Sequence, residues 1–350
     1  MNSTVLAEVK AARVEIVSRV EERLATFLEA ERAHWATVDA LAAVPVEAVA
    51  ALVAAGGKRL RPAFCVSGFL AAGGRRGDAL EEIVVDAAAG LELIHVAALI
   101  HDDILDASEL RRGAQTVHVA HGAAHTAADW QGEARRYGEG VGILAGDLAD
   151  VYADRLSLGL TPQAREIWGT LRTEIVVGQF LDVAVAAQSV SDPELARWIA
   201  VCKSGRYSIH RPLVLGAVIA GRDDLAPAFA EYGEALGEAF QLRDDLIDVF
   251  GSADLAGKPV GHDFEQHKMT LLLTRAVQLD PRVRELVAGG SWDPSALREL
   301  LVEIGVVEGI ERHIAELVGV ATAALDRAPL DQSWRDELGE MALEVAYRDH

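Results

Sequence analysis

The sequence predicts an all-α protein, and three observations carry that reading. Apolar residues make up 51% of the 350 and aromatics only 5%, with Ala and Leu prominent; both are strong helix formers. Few segments are rich in Val, Ile, Thr and Tyr between turns, so the material of strands is scarce. Apolar residues recur at helical spacing, as in Val14, Ile16, Val17, Val20, Leu24 and Leu28, the pattern of a helix with one buried face. No low-complexity linker divides the chain. We therefore expect one large helical bundle, a single domain over residues 1–350, with ample length for a large core.

The elements follow in order. Residues 4–36 form the first amphipathic helix, and a second starts near Pro45 and runs to Gly56-Gly57. The string Gly57-Lys58-Arg59-Leu60-Arg61-Pro62 comes next. Two glycines close a helix, three cations follow, and Pro62 suits the first turn of the next helix. A charged capping loop and a diphosphate-binding site at a helix N-terminus both explain it. Residues 62–72 are helical, Gly73-Gly74 and Gly77 break the chain, and 79–107 form a long helix. His95 lies on that helix seven residues before Asp102, on nearly the same face, as a core residue or a ligand contact.

Residues 114–138 are expected to be a mobile loop, because Gly122, Gly132 and Gly138, with Gly140 just beyond, interrupt any pattern. His118, His121 and His125 there lack the cysteine or carboxylate partners of a zinc site. Further helices are expected at 141–158 (carrying Asp147 and Asp150) and 162–188, and from Pro193 through Lys203 to Tyr207. Residues 212–221 are apolar and small, hence buried. A helix over 225–250 precedes a loop from Gly251 to Gln266, and helices fill 269–279, 295–303, 307–328 and 331–346.

Charge and cysteine content narrow the function. The net charge of −21 repels nucleic-acid phosphates, so any anionic substrate must be drawn in by a local basic cluster. Cys65 and Cys202 stand in no metal-like spacing and read as buried thiols in a reducing cytoplasm. The stretch from Met1 to Lys10 lacks the apolar core of a signal peptide. No run of 18 apolar residues marks a transmembrane span.

Two short stretches concentrate the chemistry. Leu99-Ile100-His101-Asp102-Asp103-Ile104-Leu105-Asp106 ends an apolar run and is followed by Arg111-Arg112-Gly113. Helical spacing sets Asp102 and Asp106 on one side, with Asp103 just around the cylinder. Unpaired, these carboxylates repel one another; a hard divalent ion such as Mg2+ resolves the conflict, and arginines suit phosphate oxygens. Phe240-Gln241-Leu242-Arg243-Asp244-Asp245-Leu246-Ile247-Asp248 repeats the spacing. Two such motifs, each set in apolar residues, are expected to face one another across a cavity and hold metal between them.

In this order, the two Asp motifs, Arg111-Arg112-Gly113 and Gly57-Lys58-Arg59-Leu60-Arg61-Pro62 resemble the trans-prenyl diphosphate synthases, which include farnesyl and geranylgeranyl diphosphate synthases. The resemblance runs from about residue 50 to 275 and takes in Gly146-Asp147, Gly178-Gln179 with Asp182, Lys203, Phe240-Gln241 and Gly257-Lys258-Pro259. It implies antiparallel helices around a deep cavity, a homodimer, and head-to-tail condensation of isopentenyl diphosphate with an allylic prenyl diphosphate. It implies Mg2+, three ions per active site, replaceable by Mn2+, held by Asp102, Asp103, Asp106, Asp244 and Asp248, with Asp245 nearby. Arg111, Lys203 and Lys258 would grip the allylic diphosphate, with Gln241 and Lys268 in the same site. Lys58, Arg61, His95 and Arg112 would hold isopentenyl diphosphate. Asp102, Asp106, Arg111, Lys203 and Asp244 would carry catalysis. The chain departs from the pattern at Gln115, where members often have Pro, and at His267, where many have Gly.

In this family, bulky aromatics four or five residues before the first Asp stop growth at C15. Here those positions are Ala98 and Ala97. One helical turn is about 5.4 Å, roughly an isoprene unit, so the floor drops toward Ile94 and Leu91. The expected product is C20 (geranylgeranyl diphosphate) or longer. A C15 synthase, a terpene cyclase and a non-catalytic subunit of a heteromeric synthase are the alternatives.

Overall fold

The computed structural model describes residues 3–188, 190, 192–251, 268–288 and 293–348. The described residues are overwhelmingly helical, as expected, and fall into two compact units. One comprises residues 10–166 and 215–221; the other comprises 1–9, 167–214 and 222–350.

In the first unit, α1 (Ser3–Ala36) buries Ile16, Val20, Leu24 and Leu28, one residue per turn on a single stripe. α2 (Val44–Ala54) opens with Pro45 in its first turn. α3 (Leu60–Ala71) is buried from Arg61 to Ala71. It starts two residues before Pro62, which therefore sits inside its first turn. α4 (Ala79–Leu105) is the core helix: Val84, Ala88, Leu91, Leu93, Ile94, Val96 and Ile100 bury more than one face. By length and composition α4 could cross a membrane, with a mean hydropathy of 2.0 over its best window. Yet 72% of that window is buried against the rest of the protein.

The expected loop over 114–138 is largely helical. Leu110–Arg111 and Ala114–Gln115 form a two-stranded hairpin, α5 spans Val117–Ala127, and α6 runs from Ala134 to Leu156. Of the glycines that suggested a loop, Gly132 does sit at a bend with φ of 99° and Gly140 faces open space, but Gly138 is a packing position, as are Gly142 and Gly146 further along α6. A Cβ on Gly138 would come within 2.1 Å of the His118 carbonyl oxygen. One on Gly142 would lie 2.7 Å from Ile104 Cδ1, and one on Gly146 2.2 Å from His101 Nε2. Three glycines at four-residue spacing let α5 and the end of α4 press onto α6.

In the second unit, α7 (Pro162–Gln188) is followed by α8 (Pro193–Ala200), whose N-cap Asp192 accepts from the Glu194 and Leu195 N–H groups. α8 continues into a π-helical segment, Val201–His210, and then α9 (Arg211–Ile219), whose residues from 215 on belong to the first unit. α10 (Ala226–Phe250) is the central helix, with Phe229, Tyr232, Leu236, Ala239, Leu242 and Val249 buried. Helices Leu271–Leu279, Pro281–Ala288, Pro294–Glu303, Val306–Arg327 and Gln332–Ala346 complete this unit. Tyr232 Oη donates to the Leu338 carbonyl at 2.8 Å and ties the last of these to α10.

Candidate active site

The first Asp motif sits at the C-terminus of α4. Asp106 caps the helix, and its N–H donates to the Asp102 carbonyl at 2.8 Å, so the two keep helical spacing. Asp103 faces inward and is 2% exposed. Arg111 meets its Oδ1 with Nε at 2.7 Å and Nη2 at 2.6 Å. Burial pushes the Asp103 carboxyl pKa up, and Arg111 opposes that rise. The hairpin supplies this arginine. Arg112 and Gly113 form its two-residue turn with φ of 53° and 76°; positive φ at both positions is what a type I′ turn demands.

That turn aims Arg112 at the end of α2, where its Nη1 donates to the Gly56 carbonyl oxygen. Gly57 lies under the guanidinium: a Cβ there would sit 2.9 Å from Nη2. Arg59 is also a structural clasp. It donates to Glu21 Oε1 at 3.1 Å, Glu92 Oε1 at 2.6 Å and the Val53 carbonyl at 2.8 Å, joining α1, α2 and α4. Arg61 is 8% exposed, whereas Lys58 is exposed. The half-buried His95 is held neutral, its pKa driven well below the usual value by burial and then by Arg61, Arg112, Arg111 and Arg59. The Arg112 pKa is lowered by burial and by its neighbouring arginines. Four arginines thus crowd one histidine in a chain of net charge −21, two of them spent on Glu21, Glu92 and Asp103.

The second unit assembles a different set. Lys203 lies on the π-helical segment and donates from Nζ to Asp182 Oδ2 on α7 at 2.6 Å. Gly178 permits this approach, since a Cβ there would lie 3.1 Å from the Lys203 backbone nitrogen. The π segment also meets α10 backbone to backbone: Gly205 faces Gly237, and His210 faces Gly233. Five residues on the wide π turn thus span four on the α-helix. Next to Lys203, Arg206 and Arg211 share the Glu174 carboxylate at 2.7–3.0 Å, and they hold its pKa down against the upward push of burial.

In the second Asp motif, Asp245 is 1% exposed. Its Oδ1 accepts from Gln241 Nε2 at 2.8 Å and its Oδ2 from the Leu272 N–H at 3.1 Å. Asp244 is half-buried and pairs with Arg348 near the C-terminus. Asp248, one turn on, is 4% exposed.

The polyprenyl synthetase family model matches residues 44–302, most of the chain and all the residues above except Arg348 and Glu21. The chain belongs to the polyprenyl synthetase family. The solved geranylgeranyl pyrophosphate synthase of Corynebacterium glutamicum, complexed with isoprenyl diphosphate and magnesium, superposes with a TM-score of 0.89. It is 37% identical and covers 95% of this chain and 99% of its own. The nonaprenyl diphosphate synthase of Mycobacterium tuberculosis is 31% identical over 310 residues, 85% of this chain and 86% of that one. A short chain isoprenyl diphosphate synthase of Methanothermobacter thermautotrophicus is 32% identical over 261 residues, 71% and 73% respectively.

For a polyprenyl synthetase the arrangement within each unit is informative. Lys58, Arg61, His95, Arg111 and Arg112 belong to the same unit as Asp102 and Asp106, and Arg111 is near enough to feel both carboxylates; Lys203, Gln241, Asp244 and Asp248 belong to the other. Lys268 is half-buried two residues before Thr270, the N-cap of helix Leu271–Leu279. Lys258 and His267 lie outside the described residues. Ala97 is buried and Ala98 half-buried on α4, with Ile94 and Leu91 buried beneath them. Among the described residues no group of three His, Cys, Asp or Glu side chains is arranged to hold an ion by itself. Reading the sequence missed the clasp made by Arg59, which looked like one more cation in a basic string. It also missed Arg348, which carries no local signal at the chain end.

Proposed function

We propose that the protein is a Mg2+-dependent head-to-tail prenyltransferase that condenses isopentenyl diphosphate with an allylic prenyl diphosphate to a product of C20 or longer. The observation that carries the reading is the convergence of Arg59, Arg61, Arg111 and Arg112 on a neutral His95, on the helix that ends in Asp102 and Asp106. The donor set fits Mg2+, which takes hard oxygen ligands, usually one or two carboxylates with waters and substrate phosphates completing the shell. Asp102 and Asp106, and Asp244 with Asp248, would hold it. Asp103 and Asp245 face internal partners instead and would position the motifs. Bound there, Mg2+ supplies charge stabilisation to a departing diphosphate.

The side chains do the rest. Arg111, Lys203, Lys258 and Lys268 would hold the allylic diphosphate and stabilise the charge it gains as its C–O bond breaks. Lys58, Arg61, Arg112 and His95 would hold isopentenyl diphosphate; neutral His95 can donate one hydrogen bond without adding charge. Apolar walls such as those of α4 exclude water from the carbocation. The alkene attacks, and the proton lost from the adduct passes to the departing diphosphate.

The family match runs through residues of both units, which supports one functional domain. α6 exposes Ile143, Leu144 and Val151, apolar surface that a second copy would cover in the proposed homodimer; a monomeric mass in sedimentation would exclude it. Cys65 and Cys202 are free and buried, which supports the proposed cytoplasmic setting.

Incubation with isopentenyl diphosphate, each allylic diphosphate and Mg2+ tests the reaction. Elongated prenyl diphosphates are expected. Neither elongation nor diphosphate release would leave the non-catalytic subunit as the reading.

A further inference from the structure

The last described residues dock onto the second Asp motif. Arg243 of α10 is anchored by both carboxylate oxygens of Glu311, at 2.8 and 2.6 Å. From there its Nε donates to the Ala346 carbonyl at 2.7 Å, and its guanidinium lies 5.7 Å from the Tyr347 ring centroid. The next residue, Arg348, stacks its guanidinium 4.0 Å over the Phe240 ring and pairs with Asp244. The Arg348 side chain is 14% exposed and that of Asp244 42%, so the arginine is buried while the carboxylate stays open on one side.

The guanidinium takes a lone pair of Asp244 Oδ1 and sets a full positive charge where a divalent cation would bind, so the two cations compete for this carboxylate. The stack on Phe240 keeps the arginine at Asp244 when no stronger cation is present. We propose that Arg348 is a positioning residue, an internal counter-ion that holds Asp244 oriented until a divalent cation displaces it. The inference rests on the reading of Asp244 as a metal ligand.

The test uses the full chain, Mn2+ with inorganic pyrophosphate as the probe, and electron paramagnetic resonance to count free Mn2+. Arg348→Gln should tighten the weakest class of Mn2+ sites by about threefold to tenfold. Arg348→Lys, which retains charge but loses the planar stack, should fall between. Asp244→Asn should weaken or abolish that class. Thermal unfolding without metal separates the site from the fold: Arg348→Gln should leave the melting temperature nearly unchanged or lower it while Mn2+ affinity rises, opposite signs that a structural role does not produce. If Asp244→Asn weakens Mn2+ binding but Arg348→Gln and Arg348→Lys do not strengthen it, the counter-ion role is overturned and the ligand reading stands. If Asp244→Asn leaves Mn2+ binding intact, both fail.

Discussion

The two Asp motifs have the same spacing and hold different partners. In the first, the middle carboxylate, Asp103, is met by a full charge, Arg111, from a hairpin eight residues on. In the second, the middle carboxylate, Asp245, is met by neutral donors, the Gln241 amide and the Leu272 N–H. The leading carboxylates differ as well. Asp102 stands on a helix whose neighbouring arginines crowd His95, whereas Asp244 is paired with Arg348, 104 positions away. Four residues before each motif stand Ala98 and Phe240. The first position carries only a half-buried methyl group on α4; the second is filled by a ring that supports an arginine. Identical spelling sets the direction of the carboxylates along a helix, and the packed neighbours set what each carboxylate can still bind.

Substitutions can break this comparison. Asp102→Asn removes an outer carboxylate and should lower turnover by roughly 10²–10³-fold, as loss of a key electrostatic group does, with stability nearly unchanged. Asp103→Asn should act chiefly on the fold. It leaves Arg111 facing a neutral amide, a loss of about 3 kcal/mol by the precedent of broken buried pairs. Asp245→Asn can keep one hydrogen bond and should lose only about 1–2 kcal/mol. Urea unfolding beside a steady-state assay separates these outcomes; equal losses at the two middle positions would erase the distinction between charged and neutral partners.

Histidine titration sharpens it. His210 packs on α10 at Gly233, and burial, followed by Arg211 and Arg206, drives its pKa to about 3. The unfolded chain takes up this proton near pH 6.5 and the folded chain does not, so stability is complete above pH 6.5 and falls as pH drops toward about 3. Between pH 6.5 and 5 this amounts to about 2 kcal/mol. His210→Gln should flatten that slope in melting temperature against pH; a slope unchanged by the substitution would assign it elsewhere.

The smallest energetic change tests the first motif's open side. Ala98→Phe should shorten the main product by about one isoprene unit, since one helical turn is about 5.4 Å, with little loss of total turnover. Chromatography of the products reads it, and an unchanged distribution would place the floor on another helix.

Much of this was legible in the residues. The helices over 4–36, 79–107, 162–188 and 225–250 were expected nearly at their observed bounds, because long apolar periodicity is a strong local signal. Residues 114–138 were misjudged because glycine is ambiguous: the same residue frees a loop and admits a close helix. Only the partner surface tells the two apart, here the His118 carbonyl against Gly138, where Gly132 at φ 99° has open space.

By itself the sequence determined the helical class, the two carboxylate motifs and the basic strings, since each follows from composition or from spacing within one helix. The tertiary structure decided which charges are spent on the fold. Arg59 serves Glu21, Glu92 and Val53, Asp245 serves Leu272, and Arg348 serves Asp244. These partners lie from 6 to 104 positions apart. Over such separations the choice of partner comes from packing, which buries one carboxylate of a pair and leaves its neighbour half-open.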